Sequence, residues 1–95
     1  MEIKLLDKVG KFAENKNTAR EIRLSQIVPN IKEKREVILN FEGVESATQS
    51  FVHALISEVI RIFGIKVLNN LKFKNCDETV KKMINIVCEY MQTEY

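Results

Sequence analysis

The chain has 95 residues, 45% of them hydrophobic and 29% charged, with one Pro and three Gly. That length allows one compact domain over residues 1–95 and excludes a large catalytic scaffold with its own cofactor cleft, while the apolar mass excludes disorder. Fifteen Lys and Arg against thirteen Asp and Glu leave a net charge of +2, too small a surplus to predict a specific nucleic-acid partner.

Taken in chain order, residues 2–6 alternate polar and apolar and predict a half-buried strand. Asp7 to Gly10 reads as a turn, and Lys11-Phe12-Ala13 as the return strand of a short hairpin. Thr18-Ala19-Arg20-Glu21 fits a capping box: the Thr18 hydroxyl accepts from the Glu21 N–H while the Glu21 carboxylate reaches back. Ile22, Leu24, Ile27, Val28 and Ile31 then give a helix an apolar face, which Pro29 is expected to end or kink. Val37-Ile38-Leu39-Asn40-Phe41 is nearly all apolar and predicts a central strand covered on both faces. Glu42 to Glu45 is a turn, and Ser46, Thr48 and Ser50 are all candidates to start the next helix. That helix runs from Phe51 to Phe63 and closes at Gly64. Residues 65–70 fit either a further turn or the start of a strand. Leu71-Lys72-Phe73-Lys74-Asn75 alternates and carries lysines, as an edge strand does. Asp77 caps the last helix, on which Val80, Met83, Ile84, Val87, Cys88 and Met91 form one apolar stripe. The order ββαβαβα implies an α/β fold with a mixed sheet of about four strands.

Little in the chain suits classical catalysis. His53, the only histidine, has no neighbouring cysteine or acid pair and reads as a surface or packing residue. Cys88 lies on the apolar stripe, and Cys76 precedes a helix N-terminus that is expected to lower its pKa slightly. No phosphate-cradling glycine motif and no metal-ligand cluster occurs, so no cofactor, no metal and no enzyme activity are expected. Two unpaired cysteines point to a reducing, cytoplasmic setting. No apolar run approaches the roughly 20 residues that span a bilayer, and Met1-Glu-Ile-Lys-Leu-Leu-Asp7 lacks the apolar centre of a signal peptide.

The informative segment is 37–52, where a buried strand feeds through a polar turn straight into a helix. Glu42 and Glu45 precede the helix start, and Ser46, Thr48, Gln49 and Ser50 crowd it, with His53 one turn on. Each hydroxyl alone reads as an ordinary cap, but together they make a polar surface on a rigid mount.

Val37-Ile-Leu-Asn-Phe-Glu-Gly-Val44 followed by Ser50-Phe51 resembles the small STAS-like domains of largely unassigned function, as do Thr18-Ala-Arg20-Glu21 and Leu71-Lys-Phe-Lys-Asn75. The hallmarks of that family are a hydrophobic strand, an acid-Phe-x-x-Val turn and Ser-Phe opening the next helix. The resemblance implies a STAS-type mixed sheet with helices mainly on one face. It also implies kinship with the bacterial anti-sigma factor antagonists, signalling proteins that work by partner switching. Those proteins bind a histidine-kinase-type ATPase, which phosphorylates a Ser or Thr at the helix start after the central strand and so drives the partners apart. On that pattern the partner-binding surface is Glu42, Glu45, Ser46, Thr48, Gln49, Ser50 and His53. The phosphoacceptor position itself falls on Gln49, so Ser50, and after it Thr48, is the candidate acceptor. Asn40 stands where relatives commonly carry Asp, and His53 and Ala54 where they are often acidic.

Two other classes are open on the residues alone. A small anionic ligand or nucleotide suits the helix N-terminus at 46–50, although Glu42 and Glu45 oppose it. Weak, salt-sensitive nucleic-acid binding would use Lys8, Lys11, Lys16, Arg20 and Arg23. An edge strand at 2–6 or 71–75 is open to pairing as a homodimer.

Overall fold

The computed structural model describes residues 1–94. The elements in order are β1 (Glu2–Lys4), α1 (Leu6–Val9), β2 (Phe12–Ala13), α2 (residues 16–32), β3 (Val37–Asn40), β4 (Ser46–Ala47), α3 (residues 49–63), β5 (Leu71–Lys74) and α4 (Glu78–Glu94). Every strand pairing is parallel: β1-β3-β5 form one sheet, and β2 and β4 a second, smaller one. The expected mixed sheet is thus replaced by two parallel ones.

The expected hairpin is also absent. Residues 6–9 form a turn of helix, and Phe12-Ala13 pairs with Ser46-Ala47 rather than folding back on β1. Two apolar strands so close in sequence fit a hairpin locally, but each finds its partner in the segment around β3 and β4. The two-residue β4 carries no alternation long enough to read from sequence.

The register puts Ile3, Val37, Leu39, Leu71 and Phe73 on one face of the main sheet. All but the half-buried Phe73 are buried, and they meet Ile22 and Ile27 of α2 and Leu55, Ile56 and Val59 of α3 in a single core. The opposite face carries Glu2, Lys4, Ile38, Asn40, Lys72 and Lys74, and all but Ile38 and Asn40 are exposed. β3 is central as expected, yet it is not covered on both faces. Parallel sheets are usually sandwiched between helices, so this polar, open face is a distinctive feature of the fold.

Helices α2 and α3 each contain a stretch of π-helix, Arg23–Ile27 in α2 and His53–Ser57 in α3. Pro29 does not end α2. The wider turn, in which the Val28 N–H reaches the Arg23 carbonyl, places Pro29 in the first turn of Val28–Lys32. An N–H is dispensable at such a position. The two π stretches touch, and Arg23 Nη1 donates to the Ala54 carbonyl at 3.0 Å. The α2 cap is Asn15, whose Oδ1 accepts from the Asn17 and Thr18 N–H groups at 2.9 and 3.2 Å. Thr18 therefore lies inside the helix and not at its cap. Gly64 ends α3 with φ +85°, a 3₁₀ turn fills Ile65–Asn69, and Asp77 Oδ1 accepts from the Thr79 N–H at 3.1 Å. α4 packs its Val80, Ile84, Val87 and Met91 stripe against α3 and β4.

Candidate functional site

The segment after β3 is held from three sides. Phe41, fully buried, roots its start, and a turn closes with the Val44 N–H on the Phe41 carbonyl at 2.9 Å. Gly43 occupies that turn at φ +84°, a region that a side chain disfavours. β2 then grips the next residues: the Glu45 N–H donates to the Lys11 carbonyl at 2.8 Å and the Thr48 N–H to the Ala13 carbonyl at 3.0 Å. Thr48 is the residue that starts α3, its Oγ1 accepting from the Phe51 N–H at 3.1 Å. Phe51 and Val52 point into the core, which turns Gln49, Ser50 and His53 outward.

These three residues line a shallow depression of about 420 Å³ together with Ala54 and Lys16. Lys16 opens α2, distant in sequence, and the reading of segment 37–52 missed its place here because only tertiary packing brings it in. The remaining expected residues fall outside the depression. Ser46 is half-buried in β4, and Thr48 is occupied as a cap. Glu45 faces Lys11 at 3.9 Å, with both side chains largely in water. Glu42 sits in the exposed turn, its N–H donating to Asn40 Oδ1 at 2.9 Å.

His53 is exposed, as expected for a surface residue. Its Nδ1 lies 3.2 Å from Ser57 Oγ, and that hydroxyl donates to the His53 carbonyl at 2.5 Å. Its ring tilts toward Tyr90 of α4, with centroids 6.3 Å apart. Ser57 is buried beneath this contact, so its hydroxyl serves the helix and offers no nucleophile.

A second polar cluster lies at the carboxyl ends of the main strands. Asn40, only 5% exposed, accepts at Oδ1 from the Glu42 N–H and from Asn75 Nδ2 at 3.1 Å, and donates from Nδ2 to Glu2 Oε2 at 2.8 Å. Lys74 Nζ stands 3.5 Å from the other Glu2 oxygen. The Asn40 hydrogen bond chiefly holds the Glu2 carboxyl below its ordinary range against the opposing effect of burial, with further help from Lys74 and Lys4. Asn40 thus ties β1, β3 and the residue after β5 to the turn that leads to α3.

Burial pushes both thiols up, Cys76 against a weaker pull from Lys81 and Cys88 without opposition. The expected lowering at Cys76 is overturned because desolvation outweighs the helix end. Among the described residues no group of three or more His, Cys, Asp or Glu could hold a metal ion, and no helix is long and apolar enough to cross a membrane.

Parallel strands linked by helices, one sheet face buried and a polar helix start mounted on strand ends, define an α/β domain. The family described as STAS-like domain of unknown function (DUF4325) matches residues 18–81, more than half of the chain, and the chain belongs to that family. Comparison with curated proteins and with solved structures gives no match.

Proposed function

We propose that this chain is a non-enzymatic regulatory module that binds a protein partner through the outward face of the α3 start, in the manner of the anti-sigma factor antagonists that STAS-like domains resemble. The observation that carries the reading is the rigid mount. Buried Phe41, the β2–β4 pairing and the Thr48 cap hold Gln49, Ser50 and His53 outward on one face, with Lys16 beside them. A preformed polar surface costs little ordering entropy on binding. The partner class is a histidine-kinase-type ATPase domain, and Glu42 and Glu45 contribute at the rim.

Ser50 is the better phosphoacceptor, since it is exposed while the Thr48 hydroxyl accepts from the Phe51 N–H. A phosphate there adds about −1.5 to −2 charge to the interface. Affinity capture from the native host with mass spectrometry tests the binding. An ATPase-domain protein is retained by the wild type and lost with the Gln49→Arg/Ser50→Arg double variant. No specific protein, or equal retention by the variant, overturns the reading. Intact-mass measurement with the recovered kinase and ATP tests the switch, which an unchanged mass removes.

Lys16 favours a second reading, a small anionic ligand bound at residues 46–50, because it adds a cation to the depression while Glu42 and Glu45 stay outside it. Thermal-shift titration with nucleotides discriminates: saturation raises stability by mass action only if the site binds them.

A further inference from the structure

We propose that the chain forms a two-fold dimer by antiparallel pairing of β1 with β1 of a second copy. β1 is an edge of the three-stranded sheet. The phase of its ladder is fixed: the Ile38 N–H donates to the Met1 carbonyl at 2.8 Å and the Leu5 N–H to the Asn40 carbonyl at 3.0 Å. In a parallel pair alternate residues face the neighbouring strand. Residues 1, 3 and 5 therefore face β3, and the N–H and C=O groups of Glu2 and Lys4 point outward.

An antiparallel partner centred on Ile3 satisfies all of these groups. Glu2 exchanges both hydrogen bonds with Lys4 of the second copy, and Lys4 with its Glu2. The same pairing sets opposite charges directly across from one another, an arrangement that stabilises cross-strand neighbours. Glu2 is already oriented by Asn40 and Lys74 on the open face of the sheet. Met1 and Leu6, both exposed apolar residues, flank the strand, and the two-fold axis brings Met1 of each copy toward the end of β1 from which Leu6 of the other begins.

The opposite edge lacks this complementarity. The Asn70 and Lys74 carbonyls accept from β3, so Leu71 and Phe73 point their backbone outward from β5. Self-pairing there centres Lys72 on Lys72 of the second copy, and such edge lysines discourage association. Charge and hydrogen-bond phase together select β1, a surface separate from the α3 start.

Sedimentation equilibrium of the tag-free chain tests the dimer. The mass is expected to rise from 11.0 kDa toward twice that value as concentration approaches about 1 mM. Glu2→Lys and Lys4→Glu each place like charges across the axis and should weaken association by roughly tenfold or more, while their equimolar mixture restores it. Lys4→Pro removes an outward N–H and leaves the β1–β3 ladder intact, so it should give a folded monomer by circular dichroism. A wild type that stays at the single-chain mass overturns the proposal. So does a dimer that is indifferent to all three variants, or charge variants that fail to restore association when mixed.

Discussion

Replacing Asn40 by alanine tests whether the strand-end cluster holds the fold together. The side chain accepts from the Glu42 N–H at 2.9 Å and from Asn75 Nδ2 at 3.1 Å, and donates to Glu2 at 2.8 Å. At 5% exposure it has little water to fall back on. Each of the two bonds to Oδ1 is worth about 1 kcal/mol. The third, to the Glu2 carboxylate, adds to this above the pH at which Glu2 is protonated. The expected loss is at least about 2 kcal/mol, which for a chain of this size lowers Tm by roughly 8–16 °C. Thermal melts followed by circular dichroism and by calorimetry measure it. Asn75→Gly, which keeps the left-handed backbone at φ 57° while removing one donor, should cost about half as much. An Asn40→Ala melt within about 2 °C of the wild type would refute the reasoning, because the cluster would then be decorative.

Glu2 titrates below its ordinary value, so its stabilising contribution is present above the unfolded pKa and is lost as pH falls through the folded one. Melts of the wild type should therefore weaken below about pH 4.5, and those of Glu2→Gln should be flatter there; parallel curves would contradict the linkage. Gly43→Ala forces a side chain to φ +84° and against Leu6 Cδ2 at 2.7 Å. Leu6 is part-exposed and can swing aside, so the backbone cost of about 1–2 kcal/mol dominates and chemical denaturation should register it. Arg23→Met keeps the aliphatic stem but removes the bond to the Ala54 carbonyl between the π stretches, for an expected loss of about 1.5 kcal/mol in the same assay. Cys76 and Cys88, both pushed up by burial, should react with a thiol reagent near pH 7.5 more slowly than free cysteine; rates equal to free thiol would show that burial does not govern them.

Much of the fold is legible where local physics decides. Val37–Asn40 reads as the central strand, Leu71–Lys74 as an edge, and the α4 stripe by its period, because each is long enough to carry a pattern. The failures share a cause. β2 and β4 are two residues each, and a pair that short has no period, only a partner found across the chain. Pro29 misleads because the π turn before it, which the packed pair of helices stabilises, makes its missing N–H harmless. At the site, Gln49, Ser50 and His53 follow from helical spacing once Phe51 is assigned to the core. Lys16 does not, since its place depends on how α2 docks beside α3.

The open sheet face explains why an amide suits position 40. Ile38 and Asn40 share that face with Glu2, which lies in the next strand within hydrogen-bond reach of Asn40. An Asp at position 40 would set two carboxylates against each other and leave the Glu2 oxygen without its donor. An amide resolves this, because Oδ1 still accepts from the turn while Nδ2 donates to the acid. Asn40 and Glu2 are therefore one feature, with the negative charge on the edge strand and the amide that holds it on the central strand. The acid then stands on β1, beside Lys4, where the proposed second copy would meet it. At position 40 the amide orients the turn leading to Gln49 and Ser50. Asn40 thus links the sheet edge and the turn before the α3 start through one side chain, donating to Glu2 on one side and accepting from the Glu42 N–H on the other.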